Sequence, residues 1–450
     1  MRMWIPIFVV GCGAGPHTID PLPVANVAPE LPAIRPRPAI TISDIVEVLP
    51  ERPYDRDVRS VQFVTTTVVR KEPRMDADKL GVVGRGTRSA VTGAASPGNG
   101  CKMRWIHIAP RGWVCETAIT PSSNEPTPLV DVPLSSIADS AVPGVYGFVR
   151  GDNVQAYGSR ADAEAGTGHA LTGSNSVRAA GVVDVDGHRY WQTTDGNLID
   201  EGSIIRAYPS TFKGVVIDGG SMPAWVRGST KNPVKTRNEA GKVTGTIAPR
   251  TVVHILEEAG SLVRIDDTRW LTRTDVRAAS TTPPPPGTAA TERWFDVDLD
   301  EQVIVAYEGE RPVYATMVST GKWLHETPTV ITRVQSKHQS ASMVSDKGDL
   351  YSVADVPWTM YYDGHFALHT SYWHDGFGYR LSHGCINLAP RDARVLYQWS
   401  SPDVPAGWTS VYGDEDYPGS MVRVRSRTVP DPPFRGYAAK LHARADVASQ

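Results

Sequence analysis

WTMYYDGHFALHTSYWHDGFGYRLSHGCIN, residues 358–387, decides how the chain is read. Two β-prone runs flank Asp363-Gly364, a pair that favours a tight two-residue hairpin. In the second run His365, Ala367 and His369 fall on one face, with Phe366 and Leu368 on the other, because strand side chains alternate. The stretch holds four of the twelve histidines and one of the four cysteines, Cys385. A thiol becomes a useful nucleophile when a base or positive charge favours its thiolate, and imidazole does both near neutral pH. Gly384 lets the backbone approach a substrate closely, and consecutive N–H groups at such a turn suit a developing oxyanion. His383, two residues before Cys385, points the same way in an extended segment, which suits a supporting role. Downstream, APRDARVLYQWSSP predicts a short helix, with Pro390 and Asp392 in its first turn and Pro402 as its stop. Ala393, Leu396 and Trp399 or Ser400 form its inward stripe. The residues describe a cysteine acyl-transfer site on a strand-to-helix connection.

The same letters carry a resemblance. A histidine in ALHTSYW followed by SHGCIN resembles the signature of the YkuD-type L,D-transpeptidases: histidine, a spacer, then Ser/Thr-His-Gly-Cys-apolar-Asn, with Ile386 in the apolar slot. Twelve residues separate His369 from Ser382 and sixteen separate His365 from it, so His365 competes with His369 for the role of base. The resemblance covers residues 293–425 and implies a two-step transfer. Cys385 attacks the carbonyl between the third residue and the terminal D-alanine of a stem tetrapeptide, D-alanine leaves, and an amine takes the acyl group from the thioester. His369 is the implied base, oriented by the carbonyl near Thr370. The N–H groups of Gly384 and Cys385, with His383, form the implied oxyanion hole. Ser382 and Asn387 shape the loop, and Tyr372 and Trp373 line the substrate entrance. The implied partners are peptidoglycan stem peptides, and the product is a 3→3 cross-link or a wall-anchored protein. With water as acceptor the same thioester makes an L,D-carboxypeptidase or endopeptidase; a non-catalytic wall-binding lipoprotein is the remaining alternative. No cofactor or metal is implied. His365, His369, His374, His383 and Cys385 are zinc-ligand types, yet no HExxH or CxxC spacing is present.

Length and composition bound the rest. A chain of 450 residues holds about three domains by the length prior. Hydrophobic residues at 40% and charged residues at 21% fit a globular protein, and glycine plus proline stay below the level of wholesale disorder. A net charge of −3 gives no electrostatic case for nucleic acid or an anionic membrane. Residues 1–12, MRMWIPIFVVGC, combine Arg2, an apolar run and small residues before Cys12, the parts of a secretory signal ending at a lipid-modified cysteine. Lipid on Cys12 is thus the expected membrane contact, and the expected location is the bacterial periplasm or cell envelope. With Cys12 and Cys385 assigned, Cys101 and Cys115 remain. They flank a hairpin with a Pro-Arg-Gly turn, and an oxidising compartment favours a disulfide between them.

The expected fold is mainly β: three small SH3-like β-barrel repeats followed by a β-rich catalytic domain with a short helix after the nucleophile. Residues 13–57 read as a Pro-rich tether. Units 59–121, 144–208 and 221–279 each open on a β-prone segment and close on a tryptophan-bearing strand pair, and they resemble bacterial SH3 (SH3b-type) repeats. Trp105, Trp113, Trp191 and Trp270 read as core. Residues 280–292, with four consecutive prolines, read as an extended linker to the catalytic domain at 293–425. Asp296, Asp298, Asp300 and Glu301 read as a solvated strand face. The tail at 426–450 reads as poorly ordered.

Overall fold

The computed structural model describes residues 53–129, 142–228, 232–345 and 351–448. Cys12, the signal around it and the tether up to residue 52 lie outside them. The fold is mainly β. In the catalytic part, β1 (Arg293–Asp298), β2 (Val303–Glu308) and β3 (Arg311–Met317) form an antiparallel meander. Residues 303–307 of β2 are buried on both faces, so this strand reads as a continuous apolar run instead of an alternating one. β4 (Val330–Arg333) pairs with a late strand, β10 (Met421–Arg425), which runs parallel to β1.

A second group of strands carries the chemistry. β5 (Ser336–Ser345) and β6 (Tyr351–Asp363) are antiparallel, and β6 turns into β7 (Phe366–Thr370). The register pairs Asp363 with Phe366, so the two loop residues are Gly364 and His365, one position later than Asp363-Gly364. Gly364 has φ +58°, which a glycine at the first loop position adopts freely. β8 (Ile386–Leu388) lies parallel to β7, and helix α1 (Pro390–Trp399) follows at once with proline in its first turn. Ala393, Leu396 and Ser400 are buried beneath it. β9 (Trp408–Tyr412) pairs with β5.

The three preceding units consist of short antiparallel strands. Each closes through a three-residue 3-10 turn before its last strand, at Glu116–Ala118, Glu201–Ser203 and Arg273–Asp275. Trp105, Trp191 and Trp270 are buried, whereas Trp113 is half-buried with its ring edge-on to His107 at 4.8 Å. Cys101 and Cys115 form a disulfide, with Cα atoms 5.6 Å apart.

The units join the catalytic strands directly. Strand Lys79–Val83 pairs with β9, and a Cβ on Gly81 would sit 2.3 Å from the Trp408 ring, so this approach requires glycine. Residues Ser174–Ser176 pair in parallel with the start of β6. Val215–Val216, between the second and third units, adds an edge strand to β3. Phe212 and Trp225 share one apolar core with Trp294, Tyr307 and Met421.

Three sequence expectations change. The proline linker is pinned: Arg423 donates to Pro283 O (3.1 Å) and Thr282 Oγ1 (2.8 Å). Asp296 is not solvated but 1% exposed, held by Arg423 at 2.6 Å and Arg425 at 2.9 Å; those two cations are what make burial of the carboxylate tolerable. The tail forms α2 (Gly436–Ala448), because backbone bonds between Ile331 and Pro433 and between Arg435 and Ile331 tie its entry to β4.

Candidate active site

Parallel pairing of β7 and β8 sets Leu368 opposite Ile386 and His369 opposite Asn387. Strand alternation then puts His369 and Asn387 on one face of the sheet, and Cys385 stands in the turn just before β8. His369 is 2% exposed, and its Nδ1–H donates to Thr370 O at 2.9 Å. That bond selects the tautomer in which Nε2 carries the free lone pair, the atom able to take a proton. Burial pushes His369 down to about 4, with the Thr370 carbonyl opposing. Burial pushes the Cys385 thiol up to about 11, with the Ala367 N–H opposing. Both shifts favour the uncharged forms, thiol and neutral imidazole. Cys385 is half-buried, and its Sγ lies 3.8 Å from His365 O. His365 therefore meets the sulfur through its backbone, while its ring packs on Phe366 at 4.2 Å.

The turn before Cys385 is held on several sides. Gly384 has φ +113°, and an added Cβ would lie 2.5 Å from the Phe366 ring. Ser382 Oγ donates to Cys385 O at 2.6 Å and accepts the Gly384 N–H at 3.1 Å. The Gly384 N–H is therefore engaged within the loop and does not stand ready for an oxyanion, contrary to its expected role. Thr327, remote in sequence, donates to Gly384 O at 2.7 Å and accepts the Gly321 N–H. The bend also breaks the extended geometry that would align His383 with Cys385. His383 is exposed, with its ring 4.5 Å from His325 and 5.4 Å from Tyr351.

Tyr372 does not line an entrance. It is 1% exposed, its hydroxyl donates to Ala354 O at 3.0 Å and meets Ser176 Oγ at 2.8 Å, and its ring lies 4.2 Å from Tyr146 of the second unit. It anchors that unit. Trp373 is half-buried with its ring 5.7 Å from His369. Asn387 is 2% exposed and its carboxamide lies 2.9 Å from His374 Nε2. Sequence reading missed the partners of this site: Thr327, Tyr351 and the pairing of His374 with Asn387. Thr327 carries no local signal; His374 sits visibly in YWHDGFG, but its partner is set by strand register. Among the described residues no group of three or more His, Cys, Asp or Glu side chains is arranged to hold a metal.

The domain is β-rich, with His369 on β7 and Cys385 in the turn that enters the adjoining β8. Residues 292–423 match the family model of the L,D-transpeptidase catalytic domain, YkuD. That match covers under a third of the chain. No curated protein matches the chain. Among solved structures it is similar to an L,D-transpeptidase from Stackebrandtia nassauensis, at 23% identity over 31% of this chain and 57% of that one, with TM-score 0.23. It is also similar to the catalytic domain of an Enterococcus faecium L,D-transpeptidase, at 25% identity over 30% and 98%, TM-score 0.24. A third is an L,D-transpeptidase from Mycobacterium smegmatis, at 16% identity over 49% and 89%, TM-score 0.24. The chain spans little more than half the length of the first of these.

Proposed function

We propose that this protein is a peptidoglycan L,D-transpeptidase that works through a thioester on Cys385. The observation that supports the reading is the His369 ring, fixed by Thr370 O on a strand that pairs with β8, the strand entered directly after Cys385. Cys385 Sγ attacks the carbonyl carbon between the third residue and the terminal D-alanine of a stem tetrapeptide. Its proton passes to His369 Nε2 as the C–S bond forms, since the resting thiol is protonated. The C–N bond then breaks, and His369 returns the proton to the departing D-alanine amine. In the second half an amine of a neighbouring stem attacks the thioester, its proton goes to His369, and the thiol is restored. The Cys385 N–H is the oxyanion donor we assign, because the Gly384 N–H serves Ser382. The Cys101–Cys115 disulfide supports work in an oxidising compartment such as the cell envelope.

Mass spectrometry of the protein mixed with disaccharide-tetrapeptides tests the reading. The expected result is an acyl adduct on Cys385 and cross-linked dimers, both lost in Cys385→Ser, since serine is a far poorer nucleophile without a stronger base. Hydrolysed tripeptide without dimers would assign the protein to the hydrolases, and turnover surviving in Cys385→Ser would remove Cys385 from the mechanism.

A further inference from the structure

The chain that runs from β7 to the Cys385 turn is gripped by the third unit. Arg250 Nη2 donates to Asp375 O at 2.6 Å, and the same guanidinium pairs with the Asp375 carboxylate at 2.7 Å. Arg277 Nε donates to Gly378 O at 3.0 Å. The Arg227 guanidinium lies over the Tyr379 ring, 4.2 Å from its centroid. The three arginines come from separate places in the unit: just after the strand Ala224–Val226, in the turn at 248–251, and on the strand Val276–Ala278. Two of these placements are unfavourable within the unit itself. Arg250 has φ +68°, a left-handed conformation that glycine adopts freely and a long side chain does not. Burial, and next the like charge of Arg227, hold the Arg277 guanidinium below its ordinary value. Strain of this kind persists where the surroundings over-determine it, and here the surroundings are one short segment of the catalytic part.

That segment reaches the reacting residues from its other contacts. The Trp373 ring lies 5.7 Å from His369. His374 Nε2 is 2.9 Å from the Asn387 carboxamide, and the Gly376 N–H donates to His374 Nδ1 at 3.1 Å. Gly378, whose carbonyl accepts from Arg277, donates its own N–H to Val318 O at 2.8 Å. The next residue, Ser319, exchanges two backbone hydrogen bonds with Asn387, two positions after Cys385. Each grip of Arg250 and Arg277 is therefore only a few contacts away from His369 or β8.

We infer that Arg250 and Arg277 are positioning residues: by holding Asp375 and Gly378 they fix segment 373–380 against His369 and Asn387, which makes the third unit a working part of the acyl-transfer site. The inference rests on the transpeptidase reading above. It goes beyond that reading by giving the reacting pair a support outside the catalytic domain.

The test measures single-turnover thioester formation from disaccharide-tetrapeptide in the full chain, for the wild type, Arg250→Met, Arg277→Met, the double variant and Val263→Ala. Methionine keeps an unbranched stem and removes the charge and the donors. Each single variant is expected to lower the rate at saturating substrate about tenfold, the contribution of one charge-assisted hydrogen bond. The double variant is expected to lower it about 100-fold through displacement of the site, with the half-saturating concentration changed by less than about twofold. The single variants carry the test if the pair together does not fold. Val263 is fully buried in the core of the third unit, so Val263→Ala lowers the melting temperature but is expected to keep the wild-type rate. Amide exchange without substrate reads the grip directly: residues 374–380 are expected to exchange about tenfold faster in either arginine variant than in the wild type. Arginine variants with the wild-type rate, or with wild-type exchange over 374–380, overturn the inference and leave the transpeptidase reading intact. Val263→Ala slowed as much as the arginine variants overturns it too, because the effect is then a general loosening of the unit. A wild type that forms no thioester with the stem removes the transpeptidase reading and this inference with it.

Discussion

Replacing Tyr372 by phenylalanine separates two roles for a residue three positions from His369. The ring stays, so no cavity opens and the 4.2 Å packing on Tyr146 persists. What disappears is a hydroxyl that donates to Ala354 O at 3.0 Å, which leaves Ser176 as the donor in the 2.8 Å contact between the two hydroxyls. Phenylalanine strands both partners, one from the second unit and one from β6, in a site that is 1% exposed at Tyr372. Each of the two stranded groups costs about 1–3 kcal/mol, so a loss of roughly 2–6 kcal/mol is expected. For a body of this size that lowers the melting temperature by about 2–7 °C. Calorimetry would read the transition that includes the second unit, alongside KM for a soluble disaccharide-tetrapeptide. Ser176→Ala is the control: it lies 196 residues away in sequence and breaks only the contact between the hydroxyls, leaving the bond to Ala354 O, so it should lower the melt by about half as much. An unchanged melt in Tyr372→Phe with a raised KM would refute the anchoring argument and restore Tyr372 to the substrate entrance.

Gly384→Ala forces a side chain onto φ +113° and drives its Cβ to 2.5 Å from Phe366. Strain and overpacking together cost about 2–5 kcal/mol, and displacement of the Cys385 turn should slow acylation about 100-fold; a soluble variant with wild-type single-turnover rates would show that the turn tolerates another backbone. Because burial holds the Cys385 thiol up at about 11, the iodoacetamide rate should be low at pH 7 and still climbing above pH 9. A fast rate that is flat from pH 6 to 9 would mean a thiolate–imidazolium pair at rest. Residues 280–450 made alone would expose the β9 edge that pairs with Lys79–Val83 and the core position filled by Trp225. This fragment should melt earlier and turn over soluble substrate poorly, and wild-type kinetics from it would mean that the preceding units are independent of the site.

Much of the site was legible because its signals are local. Gly364 between two β-prone runs, Pro390 and Asp392 before an apolar stripe, and the Pro-Arg-Gly turn after Trp105 act through spacings of a few residues, where chain geometry alone limits the outcome. The same holds for His369 and the Ser-His-Gly-Cys turn as the elements of the proposed acyl transfer. Even so, Asp392 was read only for its place at a helix start. In the structure it is buried, hydrogen-bonded to the hydroxyls of Tyr314 and Thr316 and to the Gly214 N–H, so it fastens the segment before the third unit to α1.

Sequence alone determined which residues could do the chemistry and the short elements that carry them. Tertiary structure decided what each polar group is occupied with: Asp296 with two arginines, the Gly384 N–H with Ser382, the Tyr372 hydroxyl with Ser176, and one arm of Asn387 with His374. The reason is physical. Apart from the Ser382 turn, these pairings join residues from different segments of the chain, up to 196 positions apart, and nothing in the spacing of letters encodes which segments will meet. Burial then makes each pairing binding, because a polar group removed from water must keep a partner.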